Sequence, residues 1–391
     1  MNYTIYTPTR ILSGRGQLNN LHMQKFPGKK AMIVISNGKS ARINGYLDRT
    51  QNELTAAGIT YSVFDKVQAN PLKSVIEEGA VFVRESGCDF IIALGGGSVM
   101  DAAKIIAMLA PQPSSDLWEY VGGATGRQHP LIKEPLPWIA ITTTAGTGSE
   151  ADQWGVITNP ETKEKIGCGG YDSLFAVLAI VDPDLMVSVP STFTAYQGFD
   201  TLFHSVEGYI SRFHNLFSDM VERTAIENVG KYLARAVKDG SDYEAREGMA
   251  FANTMSGYSM VTGTCTSEHS MEHAMSAYHS NLPHGAGLIM ISKEYFTHFI
   301  NKHDCDDRFI SMAKFLGKNN AKEPMDFITA LTDLQKACSV DGLKMSDYGI
   351  NKEEAMTMAK NARATMGGLF ACDPTPLTDK ECAAVYEKSY K

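Results

Sequence analysis

Short apolar runs alternate with longer segments of helical spacing in the first half of the chain. Runs rich in β-branched and aromatic residues predict strands at residues 31–36, 61–64, 90–94, 138–142 and 177–181. Between the first three strands, residues 45–57 and 71–86 carry apolar side chains three and four positions apart, which predicts helices. This alternation is typical of a mostly parallel sheet with helices on its faces. The opening residues 2–14 predict an extra pair of strands outside that alternation.

The second half of the chain has a different pattern. After Pro183 the strand-like runs stop, and apolar residues recur at helical spacing. The clearest helical segments are residues 218–238, 242–262, 306–316 and 352–366. We therefore predict an α/β domain with a Rossmann-like sheet over residues 1–185 and an all-helical domain over residues 186–391. Because no linker rich in Pro, Gly or Ser separates them, we expect a small-molecule site in a cleft between two closely packed domains.

Composition and charge narrow the range of partners. The 391 residues include 36 basic and 44 acidic side chains, a formal charge of −8, which argues against nucleic acid as a partner. Apolar runs fall short of the roughly 20 residues that cross a bilayer, and the first residues lack a signal-peptide pattern. Seven scattered cysteines without a CxxC pair indicate reduced thiols. We therefore expect a cytoplasmic protein that binds neither membranes nor nucleic acid.

A triple-glycine turn follows the third predicted strand. After Gly95, Gly96 and Gly97, Ser98 and Asp101 resemble a capping box at the start of a helix. One interpretation is an ordinary strand-to-helix turn. The other is a pyrophosphate cradle, because residues without a Cβ let backbone N–H groups approach a phosphate at the positive end of a helix. The common patterns GxGxxG and GxxxxGK(S/T) are both absent.

A second polar loop follows the next predicted strand. Residues 142–152 read TTTAGTGSEAD and offer hydroxyl and backbone donors. Such clusters are often ordinary loops. However, open parallel sheets bind ligands at the carboxyl edge of their strands, where both loops fall. Two donor-rich loops at one edge favour a ligand site there.

Histidines are concentrated in the second half. Asp200 and His204 are four residues apart, as are His269 and His273, so each pair lies on one face of a predicted helix. His284 follows Pro283, where we expect the chain to turn back. A single histidine is more often a core or surface residue than a ligand, but a cluster with matched pairs favours a metal site. A carboxylate with two or three imidazoles suits Fe²⁺ or Zn²⁺ better than Mg²⁺ or Ca²⁺.

These segments together resemble the iron-containing (group III) alcohol dehydrogenase family, over nearly the whole chain. The motifs are GGGSVMDAAK (95–104), TTTAGTGSE (142–150), AIVDPDL (179–185), GFD…H…E (198–207), AREGMAFANTMSG (245–257) and HSMEHAMSAYHSNLPHG (269–285). The resemblance implies reversible hydride transfer between NAD(P)(H) and a small primary alcohol or aldehyde, with Fe²⁺ or Zn²⁺. It also implies a homodimer formed through the N-terminal strands.

The resemblance also implies roles for individual residues. The implied metal ligands are Asp200, His204, His269 and His284. His273 matches a histidine that assists proton movement without binding metal. The interval from His273 to PHG is one residue longer than the family's, which leaves His279 as the alternative to His284, although the PHG context favours His284. Gln197 replaces a small residue. The predicted cofactor contacts in the two loops and beyond are Gly95, Gly96, Gly97, Ser98, Asp101, Thr142, Thr143, Thr147 and Lys165.

The end of the first predicted strand bears on cofactor preference. Members of this family that favour NAD often place an Asp at this point, where it binds the ribose 2′-hydroxyl and repels a 2′-phosphate. Residues 35–40 read ISNGKS and contain no acid. The residues available to receive a phosphate are Asn37, Gly38, Lys39 and Ser40. We therefore expect NADP(H) to be favoured over NAD(H).

Three alternatives stay open at this stage. A glycerol-dehydrogenase-like polyol oxidoreductase would use a similar cleft, usually with zinc and fewer histidine ligands. A lyase resembling 3-dehydroquinate synthase would need a pocket lined by lysine and arginine, which residues 267–284 do not supply. A non-catalytic metal- or nucleotide-binding protein would not oxidise NADPH with any aldehyde.

Overall fold

The computed structural model describes residues 3–391. Its eight strands are β1 (Arg10–Ser13), β2 (Lys30–Ser36), β3 (Thr60–Val67), β4 (Phe90–Gly95), β5 (Trp138–Thr142), β6 (Trp154–Asn159), β7 (Glu164–Gly169) and β8 (Leu178–Val181). Six of them form a parallel sheet in the order β1-β8-β5-β4-β2-β3, while β6 and β7 form a separate antiparallel hairpin. In the sheet Gly95 is in register with Thr142, so the glycine turn (residues 95–97) and the threonine loop (residues 142–152) leave the same edge side by side.

Helices cover both faces of the sheet. They are α1 (Ser40–Ile43), α2 (Tyr46–Ala56), α3 (Lys73–Ser86) and α4 (Gly97–Leu109). Because side chains alternate along a strand, Ile33 and Ile35 of β2 pack in the core that contains α2. Met32 and Val34 face the opposite core, which contains α3 and α4. The predicted parallel α/β sheet is thus confirmed.

One strand prediction is wrong, and one pair of strands was not predicted. The opening residues form one strand, β1, parallel to β8, and not a pair; Asn2 lies outside the described residues. Pro8 offers no N–H for a ladder, and Tyr3 and Tyr6 stay about half exposed. The hairpin of β6 and β7 was not predicted, because β7 buries the charged Glu164 and Lys165 and so lacks a strand-like polarity pattern.

The rest of the chain is helical, as predicted. The helices are α5 (Ser191–Ile210), α6 (Leu216–Lys238), α7 (Tyr243–Thr262), α8 (Ser267–Tyr278), α9 (His284–Lys302), α10 (Asp306–Phe315), α11 (Asp326–Ala337), α12 (Ala355–Phe370) and α13 (Asp379–Ser389). They share one large apolar core. Among the described residues, no helix combines the length and hydropathy that crossing a membrane requires.

Candidate active site

Four side chains from three helices converge on one point. Asp200 and His204 lie one turn apart on α5, His269 lies on α8, and His284 is the first residue of α9. The Oδ1 atom of Asp200 is 3.5 Å from Nδ1 of His204, 3.4 Å from Nε2 of His269 and 3.5 Å from Nε2 of His284. The rings of His204 and His269 stack with centroids 4.2 Å apart. The structure therefore brings together all four residues predicted as metal ligands.

Local sequence explains how His284 reaches this cluster. Pro283 precedes the first residue of α9 and cannot continue a preceding helix. Gly285 then allows a close approach between α9 and α5, because a Cβ at Gly285 would lie 2.2 Å from the carbonyl oxygen of Tyr196. Tyr196 is one turn before Asp200 on α5. A glycine after the histidine is thus a condition for His284 to face Asp200.

Two glutamates lie behind the imidazoles. The Nδ1 atom of His269 contacts Glu207 of α5, and Nδ1 of His284 contacts Glu272 of α8. Glu207 also accepts hydrogen bonds from the backbone and hydroxyl of Thr266, at 2.7 and 2.9 Å. A carboxylate on the far nitrogen fixes the tautomer and ring orientation of a metal-binding histidine. Both Nε2 atoms are consequently directed at the common point.

The electrostatics of the cluster suit a divalent cation. Burial lowers the pKa of His204 to about 3, so this imidazole is neutral, as a ligand must be. Burial opposes ionisation of Asp200, but His204 and His284 hold the pKa of its carboxyl well below the usual value. The Nδ1 atom of His204 is buried and has no hydrogen-bond partner. This nitrogen is thus available as a metal ligand, and it lies beside a carboxylate and two further imidazoles. Such a set of ligands fits Fe²⁺ or Zn²⁺.

The remaining histidines of the segment have separate positions. His273 is buried one turn after His269, with its ring 5.3 Å from that of His284 and its Nδ1 atom 2.9 Å from the sulfur of Met366. Burial, and then the charge of Lys165, holds the pKa of His273 well below its ordinary value. His279 instead contacts Glu354, at 3.2 Å, outside the cluster. The structure thus places His284, and not His279, beside Asp200.

The glycine turn begins α4 directly after β4. The predicted capping box is wrong: Gly96 occupies the N-cap, no side chain caps the helix, and Ser98 already lies inside it. Asp101 instead accepts hydrogen bonds from the Ser149 hydroxyl, at 2.8 Å, and from the Val156 backbone, at 3.0 Å. The helix therefore starts two residues earlier than expected, and no side chain caps its first N–H groups.

The threonine loop packs against the glycine turn. A Cβ on Gly96 would lie 2.7 Å from the Thr144 hydroxyl, and one on Gly97 would lie 2.3 Å from the methyl group of Thr147. Thr143 and Thr147 are partly exposed, whereas Thr142 is buried and donates to the Thr144 carbonyl, at 2.9 Å. The two loops thus form one surface at the carboxyl edge of the sheet.

The other predicted cofactor contacts lie at two places. Asn37, Gly38, Lys39 and Ser40 are exposed at the end of β2, the neighbour of β4 in the sheet. Lys165 of β7 is buried beside the histidine cluster, with its Nζ atom 3.1 Å from Glu272, 3.2 Å from the Ser276 hydroxyl and 3.3 Å from Nδ1 of His284. Lys165 therefore lies against the histidine cluster and not against the glycine turn.

Comparison with known proteins gives the family. The family model for iron-containing alcohol dehydrogenases matches residues 8–183. The model for the C-terminal part of the same family matches residues 194–390. The 1,3-propanediol dehydrogenase of Klebsiella pneumoniae is 32% identical over an alignment of 380 residues, and the match covers 94% of this chain and 93% of that protein. The chain belongs to the iron-containing alcohol dehydrogenase family.

Two further proteins match this chain over nearly its full length. NADH-dependent butanol dehydrogenase B of Clostridium acetobutylicum is 30% identical and covers 98% of each chain. The solved structure of an archaeal halo-thermophilic alcohol dehydrogenase from a Red Sea brine pool has a TM-score of 0.94 at 32% identity, over 100% of this chain and 99% of that one. These similarities confirm the prediction of a metal-dependent oxidoreductase that interconverts alcohols and aldehydes with a nicotinamide cofactor.

Sequence reasoning missed the two glutamates of this iron-containing alcohol dehydrogenase site. Glu207 follows His204 by three residues, and Glu272 follows His269 by three residues. Both carboxylates are fully buried. An acid one helical turn after His204 and another after His269 were the available signal, because such an acid lies on the same face of the helix. It was overlooked because acids on helices are usually exposed.

Proposed function

We propose that this chain transfers hydride reversibly between NADP(H) and a small primary alcohol or aldehyde, with Fe²⁺ or Zn²⁺ held by Asp200, His204, His269 and His284. The observation that carries the proposal is the convergence of three imidazole nitrogens within 3.5 Å of one Asp200 oxygen. The site would lie in the cleft between an α/β domain of residues 1–185 and a helical domain of residues 186–391. An ion held there supplies Lewis acidity toward the substrate oxygen.

The chain's own residues position the reactants and manage one proton. Glu207 and Glu272 fix the orientation of His269 and His284 through their Nδ1 atoms. The glycine turn and the threonine loop would hold the pyrophosphate and nicotinamide ends of the cofactor with backbone and hydroxyl donors. His273, a neutral buried imidazole beside His284, would accept the hydroxyl proton when an alcohol is oxidised.

Substitution of the ligands tests the metal site. In His284→Ala and Asp200→Ala we expect both bound metal and turnover to fall at least about 100-fold, because each change removes a direct ligand. His279→Ala is the matched control, since His279 contacts Glu354 outside the cluster. Elemental analysis and aldehyde-dependent NADPH oxidation measure the two quantities. Full turnover in a metal-free His284→Ala protein would refute the proposal.

The cofactor preference has its own test. NADP(H) is proposed because the exposed residues after β2 include Lys39 and no acid, although a butanol dehydrogenase relative is named for NADH. We expect kcat/KM to favour NADPH over NADH by about tenfold or more, and Lys39→Ala to reduce that ratio. Lys29→Ala, an equally exposed lysine at the opposite end of β2, is the control. A clear preference for NADH would refute the NADP(H) proposal.

Two further proposals concern assembly and location. We propose a homodimer formed through the N-terminal segment, because Tyr3, Ile5 and Tyr6 are exposed beside the edge strand β1. A cytoplasmic location is supported by seven cysteines that are all free thiols.

A further inference from the structure

A buried chain of hydrogen bonds begins in the loop between α12 and α13. The Oδ1 atom of Asp373 accepts a hydrogen bond from the Ser267 backbone, at 2.9 Å, and lies 3.0 Å from the Tyr295 hydroxyl. Its Oδ2 atom lies 2.9 Å from the Ser267 hydroxyl. Asp373 therefore contacts both the first turn of α8 and a tyrosine of α9. All of its hydrogen-bonding partners are uncharged.

The chain continues to the histidine cluster. The Tyr295 hydroxyl lies 2.8 Å from the Thr266 hydroxyl, which donates to Glu207 at 2.9 Å. The other oxygen of Glu207 contacts Nδ1 of His269. Asp373, Ser267, Tyr295, Thr266 and Glu207 each have 0% of their surface exposed. A continuous path shielded from water thus joins Asp373 to a residue of the metal site.

The number of hydroxyl protons allows two arrangements of this chain. When Asp373 is neutral, its carboxyl donates to Ser267, Ser267 donates to Tyr295 across 3.2 Å, and Tyr295 donates to Thr266. Every proton then points toward Glu207, and of the five contacts only that between the Tyr295 hydroxyl and Oδ1 of Asp373, at 3.0 Å, has no proton. When Asp373 is ionised, it attracts the protons of Ser267 and Tyr295. Two contacts then have no proton between their oxygens, that of Tyr295 with Thr266 at 2.8 Å and that of Ser267 with Tyr295 at 3.2 Å, so this arrangement is the more repulsive.

We propose that Asp373 is a positioning residue of the metal site, which orients His269 through Tyr295, Thr266 and Glu207. The inference rests on the proposed function, because His269 acts there as a ligand. Within residues 3–391, Asp373 has no hydrogen bond with any of the four residues proposed as metal ligands; its partners are Ser267, Tyr295 and the Leu377 backbone. Asp373 affects the orientation of His269 in two ways: it binds the first residue of α8, and its charge sets the direction of the hydroxyl protons in the chain.

The surroundings of Asp373 support a role for its protonation. Burial raises the pKa of Asp373 to about 7, against the hydrogen bonds from Ser267 and Tyr295. The charged and titratable groups around the path are Tyr295 on α9, Cys382 on α13, Glu207 on α5, Glu268 on α8, Cys265 just before α8, the adjacent Cys372 and, next to Cys372, Arg212. The two arrangements of the chain therefore exchange near neutral pH.

Zinc affinity of the whole protein, measured by competition with a chelator, tests the proposal. Thr266→Val and Tyr295→Phe each remove one link, and we expect the Kd for Zn²⁺ to rise about tenfold in each. Tyr386→Phe is the matched control, because Tyr386 is an equally buried tyrosine whose hydroxyl donates to the Met271 carbonyl outside the chain. We expect its Kd to stay within about twofold of that of the unsubstituted protein.

Asp373→Asn gives a readout that a purely structural role would not move. The amide donates to Ser267 at every pH and so keeps the neutral arrangement. We expect its Kd to equal that of the unsubstituted protein below about pH 6 and to be several-fold tighter above about pH 8. Because the ligand histidines titrate in both proteins, the ratio of the two Kd values isolates Asp373.

Three outcomes would each overturn a different part of this inference. Unchanged zinc affinity in both Thr266→Val and Tyr295→Phe would overturn the positioning role, and these two variants suffice if Asp373→Asn does not fold. A Kd ratio independent of pH would overturn the role of protonation. An unsubstituted protein that binds neither Zn²⁺ nor Fe²⁺ would instead overturn the proposed function, and the inference with it.

Discussion

Buried charges on α4 connect three parts of the sheet domain. Lys104 is completely buried and donates to Asp152, at 2.7 Å, and to the Ser149 hydroxyl, at 3.0 Å. Asp101, one turn earlier, accepts from Ser149 and from Val156 of β6. The helix that follows the glycine turn is thereby attached to the threonine loop and to the hairpin. Each charge is costly to bury unless its partners stay in place.

The carboxyl of Asp101 predicts a pH dependence of stability. Burial raises its pKa from 3.8 to about 6, against the nearby charge of Lys104. The native state then binds the proton more tightly than the unfolded state, so the free energy of unfolding falls as pH rises from about 4 to about 6. The loss reaches up to about 3 kcal/mol, and Asp101→Asn removes it.

Urea denaturation of the metal-free protein and of Asp101→Asn, at about pH 4.5 and about pH 7.5, measures this effect. We expect the variant to gain stability relative to the unsubstituted protein between the two pH values. A difference in unfolding free energy that is the same at both would show that Asp101 does not titrate in this range.

At the scale of single residues, the sequence could predict which side chains are candidate metal ligands. It could not predict which other residues those side chains contact. Spacing alone indicated that Asp200 and His204 share a helix face, and the structure agrees. Spacing could not show that Ser98 is already inside α4, because the N-cap is Gly96 and the first turn carries no side-chain cap. It also could not choose between His279 and His284, since their partners Glu354 and Glu272 come from different parts of the chain.

At the scale of elements, amphipathic helices were predictable. Helices α6, α7, α10 and α12 each begin and end within a few residues of the predicted segments, because each buries one stripe of side chains and exposes the other. Helix α8 is different: residues Ser267 to Ser276 are all buried, including its serines, glutamates and histidines. An element surrounded by protein has no polar face, so periodicity does not mark it.

The same reason accounts for the missed hairpin. Strand β7 buries Glu164 because its carboxylate accepts hydrogen bonds from the Trp118 indole, at 3.0 Å, and from the Thr125 backbone, at 2.9 Å. Its neighbour Lys165 is buried against Glu272 of the helical half. Partners that lie far away in sequence thus reverse the polarity expected of a strand, and only the folded chain shows them.

At the scale of the whole molecule, Asn253 of α7 binds two backbone amides of the threonine loop in the sheet half. The Oδ1 atom of Asn253 accepts hydrogen bonds from the backbones of Gly146 and Gly148, at 2.6 and 2.8 Å, and its Nδ2 atom donates to Glu150 at 2.8 Å. Close by, a Cβ on Gly148 would lie 2.3 Å from the backbone of Gly257. The AREGMAFANTMSG motif therefore joins the halves, which sequence alone did not indicate.

Removing that link should separate cofactor binding from metal binding. Asn253→Ala leaves two buried N–H groups without an acceptor, so we expect unfolding free energy to fall by about 2 kcal/mol or more. We expect the Kd for NADPH to rise about tenfold, since the loop is no longer held, and the Kd for Zn²⁺ to change less than about twofold. Thr254→Val, which removes a neighbouring bond to Glu150 but no bond to the loop amides, is the matched control. Equal losses of NADPH and Zn²⁺ affinity in Asn253→Ala would show that the two halves of the site depend on one another through this contact.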